Sequence, residues 1–210
     1  MRRKRLWEID AFRGIAVVLM VIYHFFYDVD FLKIYTIDID SDLWWILGRM
    51  VAIIFIFLVG VSLTLSYSRV KSQSNLFFKY LKRGIGIFCL GLIITMLSWI
   101  FFKEGTIIFG ILHFIGISII FAYPFLRMRL ANLVLGVMMI ILGIYLQYQT
   151  FAFYYLLPIG FFPELFYSLD YFPLLPWFGL VLIGIFVGNK YYADGKRGFK
   201  LHDFSVKHLS

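Results

Sequence analysis

The chain has 210 residues, 62% apolar and 21% aromatic, with only 15% charged, a formal net charge of +8 and a mean hydropathy of +0.87. Soluble domains carry roughly 25% charged residues, and one small core cannot bury six long apolar runs, so a soluble globular protein is excluded. The positive charge is divided among separate connections and no nucleic-acid-binding motif accompanies it, which excludes a nucleic-acid partner.

Six apolar stretches of helical length follow one another, at 9–27, 44–66, 84–102, 107–126, 130–149 and 174–192. They predict an all-α polytopic bundle of about six transmembrane helices embedded in a bilayer. The basic start, Met1-Arg-Arg-Lys-Arg5, resembles the beginning of a signal peptide. The run behind it, however, holds Arg13 and His24 and no small-residue cleavage site, so it reads as a retained first helix. With the N-terminus placed in the cytoplasm, sixteen Lys and Arg fall in the inner connections and termini, against Lys33 and Lys103 outside. That positive-inside bias predicts both ends on the cytoplasmic face. Lys103-Glu104-Gly105 predicts a tight outer hairpin between the third and fourth spans. The segment 150–173 is long, external and aromatic, and Pro158, Pro163 and Pro173 interrupt it. It predicts an interfacial or re-entrant piece. Residues 1–192 then form a single transmembrane domain, and 193–210 a polar, mobile cytoplasmic tail. One cysteine, Cys89, leaves no disulfide and no Cys-based metal site within one chain.

Ionisable residues inside such spans are the candidate functional groups, because a charge in hydrocarbon costs at least a few kcal/mol. On an ideal first helix Asp10, Arg13, His24 and Asp28 fall within a wedge of roughly 60°. Asp10 and Arg13, one turn apart at the inner end, form either an ion pair or an anion site suited to phosphate. They lie roughly 17–21 Å from His24 and cannot touch it. Asp28 follows His24 by one turn, so it can accept from one ring nitrogen and leave the other as a base. The alternative is a histidine satisfied at the interface. Arg49, near the outer end of the second span, either snorkels outward, neutralises Asp28 or Asp170, or polarises a carbonyl oxygen. Gly60 and Ser62 in the second span and Gly184-x-x-x-Gly188 in the sixth read as packing faces. His113, flanked by Gly110 and Gly116, lies on the same side of the membrane as His24. Two histidines without a third ligand at helical spacing make a metal site unexpected. Asp170 precedes Pro173, Pro176 and Trp177, and Trp177 reads as an interfacial anchor.

Several stretches together resemble the heparan-α-glucosaminide N-acetyltransferase-like proteins, in their short prokaryotic branch. They are Arg5-Leu-Trp-Glu-Ile-Asp10-Ala-Phe-Arg13-Gly14, Met20-Val-Ile-Tyr-His24, Phe57-Leu-Val-Gly60-Val-Ser62, Phe109-Gly110-Ile-Leu-His113-Phe-Ile-Gly116 and Asp170-Tyr-Phe-Pro-Leu-Leu-Pro-Trp177-Phe-Gly179. The resemblance covers roughly residues 5–190. It implies a multi-pass acyltransferase of the cell membrane, with acetyl-CoA or another acyl-CoA as cytoplasmic co-substrate and no metal. The acceptor would be an amine or hydroxyl of a sugar or glycolipid at the outer side. On that reading Asp10, Arg13, Lys82 and Arg83 meet coenzyme A. His24 with Asp28 acts as the base, Arg49 or His113 steadies the oxyanion, and Asp170 and Trp177 hold the acceptor. The connection after the first helix lacks the histidine that the family's large enzymes carry there. Either His24 has taken the base role or this short form has lost acetyl transfer. A homodimer would supply the enclosure that six spans lack. The alternative class is a non-catalytic membrane protein, either a small-solute or proton carrier or a subunit of an assembly, in which the same stripe forms a path.

Overall fold

In the computed structural model the described residues are 6–36, 41–70, 75–101, 105–195 and 197–198. The basic residues Arg2 to Arg5, Lys103-Glu104 of the outer hairpin and residues 199–210 of the tail lie outside them. Six α-helices carry the fold: α1 (Trp7–Phe31), α2 (Asp42–Val70), α3 (Leu76–Phe101), α4 (Ile111–Phe121), α5 (Leu130–Gln147) and α6 (Leu174–Tyr191). The all-α polytopic bundle is thus present. Five of the helices are long and apolar enough to cross a membrane, and α4 is the short one.

The reason for that shortness lies in burial. Eleven residues rise roughly 16 Å, about half the hydrocarbon thickness. His113, Phe114, Ile115, Gly116, Ser118 and Ile119 of α4 are all buried. A helix apolar on every face belongs inside protein, and α4 sits among its neighbours as a core element. A 3₁₀ turn, Tyr123–Arg127, carrying Pro124, continues it toward the inner face. The core runs through Ile56 of α2, Phe114 and Ile119 of α4, Leu126, and Val181, Leu182 and Ile185 of α6.

Glycines set how closely the helices approach. A Cβ on Gly60 would lie 3.0 Å from the Cα of Gly184 and would collide with the carbonyl of Val181, so α2 and α6 touch backbone to backbone. A Cβ on Gly136 would lie 2.8 Å from the carbonyl oxygen of Gly179, and α5 seats on α6 in the same way. Close approach through small residues is the usual route to helix association where lipid supplies no hydrophobic drive. Helix α6 is therefore the hub. Helix α1 packs on α2, and α3 packs on α4. Among the described residues no extensive contact joins α1 to α3.

The segment 148–173 is an irregular strap, not an amphipathic helix. Thr150–Phe151 (β1) pairs in parallel with Phe162–Pro163 (β2). The Tyr171 hydroxyl donates to the Leu157 carbonyl at 2.6 Å, and the amide of Phe172 donates to the carbonyl of Phe109 at 2.9 Å. The strap is thereby stitched to 105–110, which is extended where the sequence predicts the start of the fourth span.

At the inner face the start of α1 meets the end of the described chain. Glu8 is buried, and Arg197 holds it in two bonds, Nε to Oε1 at 2.6 Å and Nη2 to Oε2 at 2.7 Å. The tail is not free at this point, contrary to the expectation from its composition. Breaking a buried pair costs about 3–5 kcal/mol because the surviving charge has no partner. Arg197→Met should therefore lower the thermal midpoint of the detergent-solubilised protein. Adding Glu8→Gln should restore part of the loss, as a double-mutant series of melting curves would read.

Candidate active site

The site is built at the end of the bundle that the charge bias assigns to the outside. Helix α1 brings Tyr23, His24, Tyr27 and Asp28, α2 brings Trp45 and Arg49, the strap brings Asp170, and α6 brings Trp177. Together they line a cavity of about 690 Å³. A second cavity of about 700 Å³ adjoins it. His24, Asp28 and Asp170 line both, so these three polar residues stand on the common wall. Volumes of this size suit a small-molecule ligand.

His24 is oriented by its own helix. Its Nδ1 lies 2.9 Å from the carbonyl oxygen of Met20, one turn earlier. A carbonyl can only accept, so Nδ1 carries a proton, and in the neutral ring Nε2 is the nitrogen with the lone pair. This corrects the expected orientation by Asp28. Spacing i,i+4 put the two side chains on one face, yet the backbone oxygen at i−4 takes the ring proton. The carboxylate in electrostatic reach of His24 is Asp170.

Asp170 has a second task. Its Oδ2 accepts the amide proton of Ile111, the first residue of α4, at 2.9 Å. The first amides of a helix lack internal partners and favour negative charge, and Asp170 supplies both needs from 59 residues away. Gly110 is required beside it, because any Cβ there would collide with Oδ2. Ser168 ties the same turn, donating to the carbonyls of Thr106 at 3.1 Å and Asp170 at 2.9 Å as alternatives. Burial pushes the Asp170 carboxyl above its ordinary 3.8, against the opposing pull of the Ile111 amide and of His24.

Arg49 makes no ion pair with Asp28 or Asp170 among the described residues. Its guanidinium lies over Trp45, 4.8 Å from the ring centroid, and 5.8 Å from that of Trp177. Two aromatic faces hold the cation without neutralising it. Trp177 is buried at 6% exposure and packs on Phe172 at 4.8 Å between centroids, so it is a wall of the cavity and not an interfacial anchor.

His113 is also a wall. It is 2% exposed, stacked on Phe109 and edge-on to Phe88. Thr95 donates its hydroxyl proton to the Ile107 carbonyl at 2.6 Å, so its oxygen is left to accept from His113 Nε2 at 3.4 Å. That leaves Nδ1 as an acceptor, buried without a partner among the described residues.

Asp10, Arg13, Lys82 and Arg83 line neither cavity. Arg13 pairs with Asp10 at 3.0 Å and donates to Ser62 Oγ from Nε at 3.0 Å and Nη2 at 2.7 Å. Ser62 in turn donates to the Leu58 carbonyl. The pair thus fastens α1 to α2, and the structure does not join it to Lys82 and Arg83, which lie exposed near the start of α3.

Sequence reasoning missed Tyr23. It lies in electrostatic reach of both Asp170 and Arg49, and a Cβ on Gly48 would lie 2.8 Å from its hydroxyl. Tyr23, Tyr27 and Phe31 stack successively, with centroids 6.2 and 6.3 Å apart. Their i,i+4 spacing was the available signal.

The buried carboxyl yields a stability prediction. A raised native pKa means that the protonated form stabilises the fold. That contribution is complete below 3.8 and is lost as pH rises through the native value. Melting curves of the wild type should therefore decline from about pH 4 upward relative to those of Asp170→Asn. Parallel pH profiles would contradict the assignment.

The family model described as heparan-alpha-glucosaminide N-acetyltransferase, catalytic, matches residues 5–209. No curated protein matches the chain, and no solved structure does. Among the described residues no three His, Cys, Asp or Glu side chains gather as a metal site. With nearly the whole chain matched, five membrane-length helices and a cavity bearing His24, Arg49 and Asp170, this is a membrane acyltransferase-like protein that belongs to the heparan-alpha-glucosaminide N-acetyltransferase catalytic family.

Proposed function

We propose that the protein transfers an acetyl or other acyl group from cytoplasmic acyl-CoA to an amine or hydroxyl of a sugar or glycolipid at the outer face of the cell membrane. Family membership supports the reaction class. The observation that carries the reading is His24: its Nδ1 proton is committed to the Met20 carbonyl, and it stands on the wall shared by both cavities.

Nε2 of His24 takes the proton from the acceptor amine or hydroxyl as the acceptor attacks the thioester carbonyl. The new C–N or C–O bond forms, the C–S bond breaks, and the departing thiolate receives the proton back from His24. Asp170 stabilises the imidazolium in between. Arg49, held by Trp45 and Trp177, faces the developing oxyanion with a cation that no carboxylate has quenched. Direct transfer needs no covalent intermediate on the protein, and the single cysteine, Cys89, lines neither cavity. Lys82 and Arg83 are exposed cations available to the phosphates of coenzyme A. His113 supports the cavity wall without touching the reacting atoms.

The test is transfer of label from acetyl-CoA by purified protein in detergent. General-base catalysis contributes roughly 10²–10⁴-fold. His24→Ala should therefore lower turnover by about that factor while leaving the melting curve near that of the wild type. Asp28→Asn should cost far less, since Asp28 does not orient the ring. Undiminished turnover in His24→Ala would remove the proposed base.

A further inference from the structure

The second cavity has walls that a free sugar does not need. Apart from His24, Asp28, His113 and Asp170, it is lined by aliphatic and aromatic side chains and two glycines. A sugar ring placed there would lose water from several hydroxyls and find few partners, whereas a hydrocarbon chain would lose nothing. The cavity also opens sideways. Val21 and Phe25 of α1 line it, yet each is 61% exposed, and Ile94 of α3 is 40% exposed. Helices α1 and α3 flank the cavity without closing on one another, so its mouth faces the surroundings of a membrane-spanning bundle, which are lipid. Three of its polar residues, His24, Asp28 and Asp170, are those it shares with the first cavity.

We propose that the acceptor is a lipid, admitted laterally between α1 and α3. Its chain occupies the cavity bounded by Val21, Phe25 and Ile94, and its amine- or hydroxyl-bearing head lies at His24 and Asp170. This assignment of substrate class rests on the acyltransfer reading above. Lateral admission brings a membrane-dissolved acceptor to the base without drawing its tail through water. It also makes the gap between α1 and α3 a working part of the site.

The experiment uses the full-length protein reconstituted in phosphatidylcholine vesicles, with an amino-sugar glycolipid carrying a photoreactive diazirine in its chain. Peptide mapping after illumination should place label on Val21, Phe25 and Ile94 several-fold above Met138 and Ile141, exposed residues of α5 that report ordinary lipid contact. Excess unlabelled glycolipid should suppress that excess, and Ile94→Trp should reduce it. Equal labelling of α5, absence of labelling, or competition by palmitoyl-CoA but not by glycolipid would each overturn the proposal. A transfer assay separates this failure from that of the parent reading. Acetylation of glycolipid in preference to the soluble amino sugar supports the inference. Acetylation of the soluble sugar alone overturns it while leaving acyltransfer intact.

Discussion

A helix that begins inside a membrane protein must find an acceptor for its first amide, and here that acceptor is Asp170. The bond from Ile111 fixes where α4 starts, fastens the strap 148–173 across the outer end of the bundle, and sets a carboxylate within electrostatic reach of His24. Each consequence follows from one requirement, that a backbone amide away from water not remain unpaired. The parallel bridge between Phe109 and Tyr171 continues the same join. Asp170 thus serves architecture and electrostatics together. Its substitution disturbs both, which is why the asparagine variant, able to keep an acceptor while losing the charge, is the informative one.

Around that anchor the helices divide into two groups. Helices α2, α5 and α6 meet through glycine contacts that bring backbones together, and α4 fills the space beside them. Helices α1 and α3 stand outside, each held chiefly by one neighbour. Several polar residues of α1 have partners or a cavity beside them. Arg13 is spent on Ser62, Glu8 on Arg197, and His24 looks into space between helices. A rigid centre with a loosely flanked cavity is the arrangement expected where ligand must come and go.

Much of the bundle was legible because hydrocarbon demands long apolar runs, and the five long helices coincide with five of the six runs. The fourth run misled in length. Residues 107–110 are as apolar as those of α4, and a helix apolar on every face has no polar face to reveal where its period begins. The glycine positions were visible, but not their partners, since Gly60 and Gly184 meet across more than a hundred residues of chain. Helical spacing correctly placed His24 and Asp28 on one face. It could not show that a carbonyl one turn behind would win the ring proton, because spacing defines a face and not a rotamer. Arg49 was visible as a cation near the outer end of the second span, while its partners, Trp45 and Trp177, form a box only when α2 and α6 are brought together.

The bond between Glu8 and Arg197 has a bearing on biosynthesis. The acid leaves the ribosome 189 residues before its base. At about 5–20 residues per second that interval is on the order of ten to forty seconds. Until it ends, Glu8 lacks its Arg197 partner, and the leading segment is held chiefly by the next segment made. The order of manufacture thus makes the Glu8–Arg197 bond a late fastening of the first helix, added after the one from Arg13 to Ser62, and nascent chains halted before Arg197 should lack it.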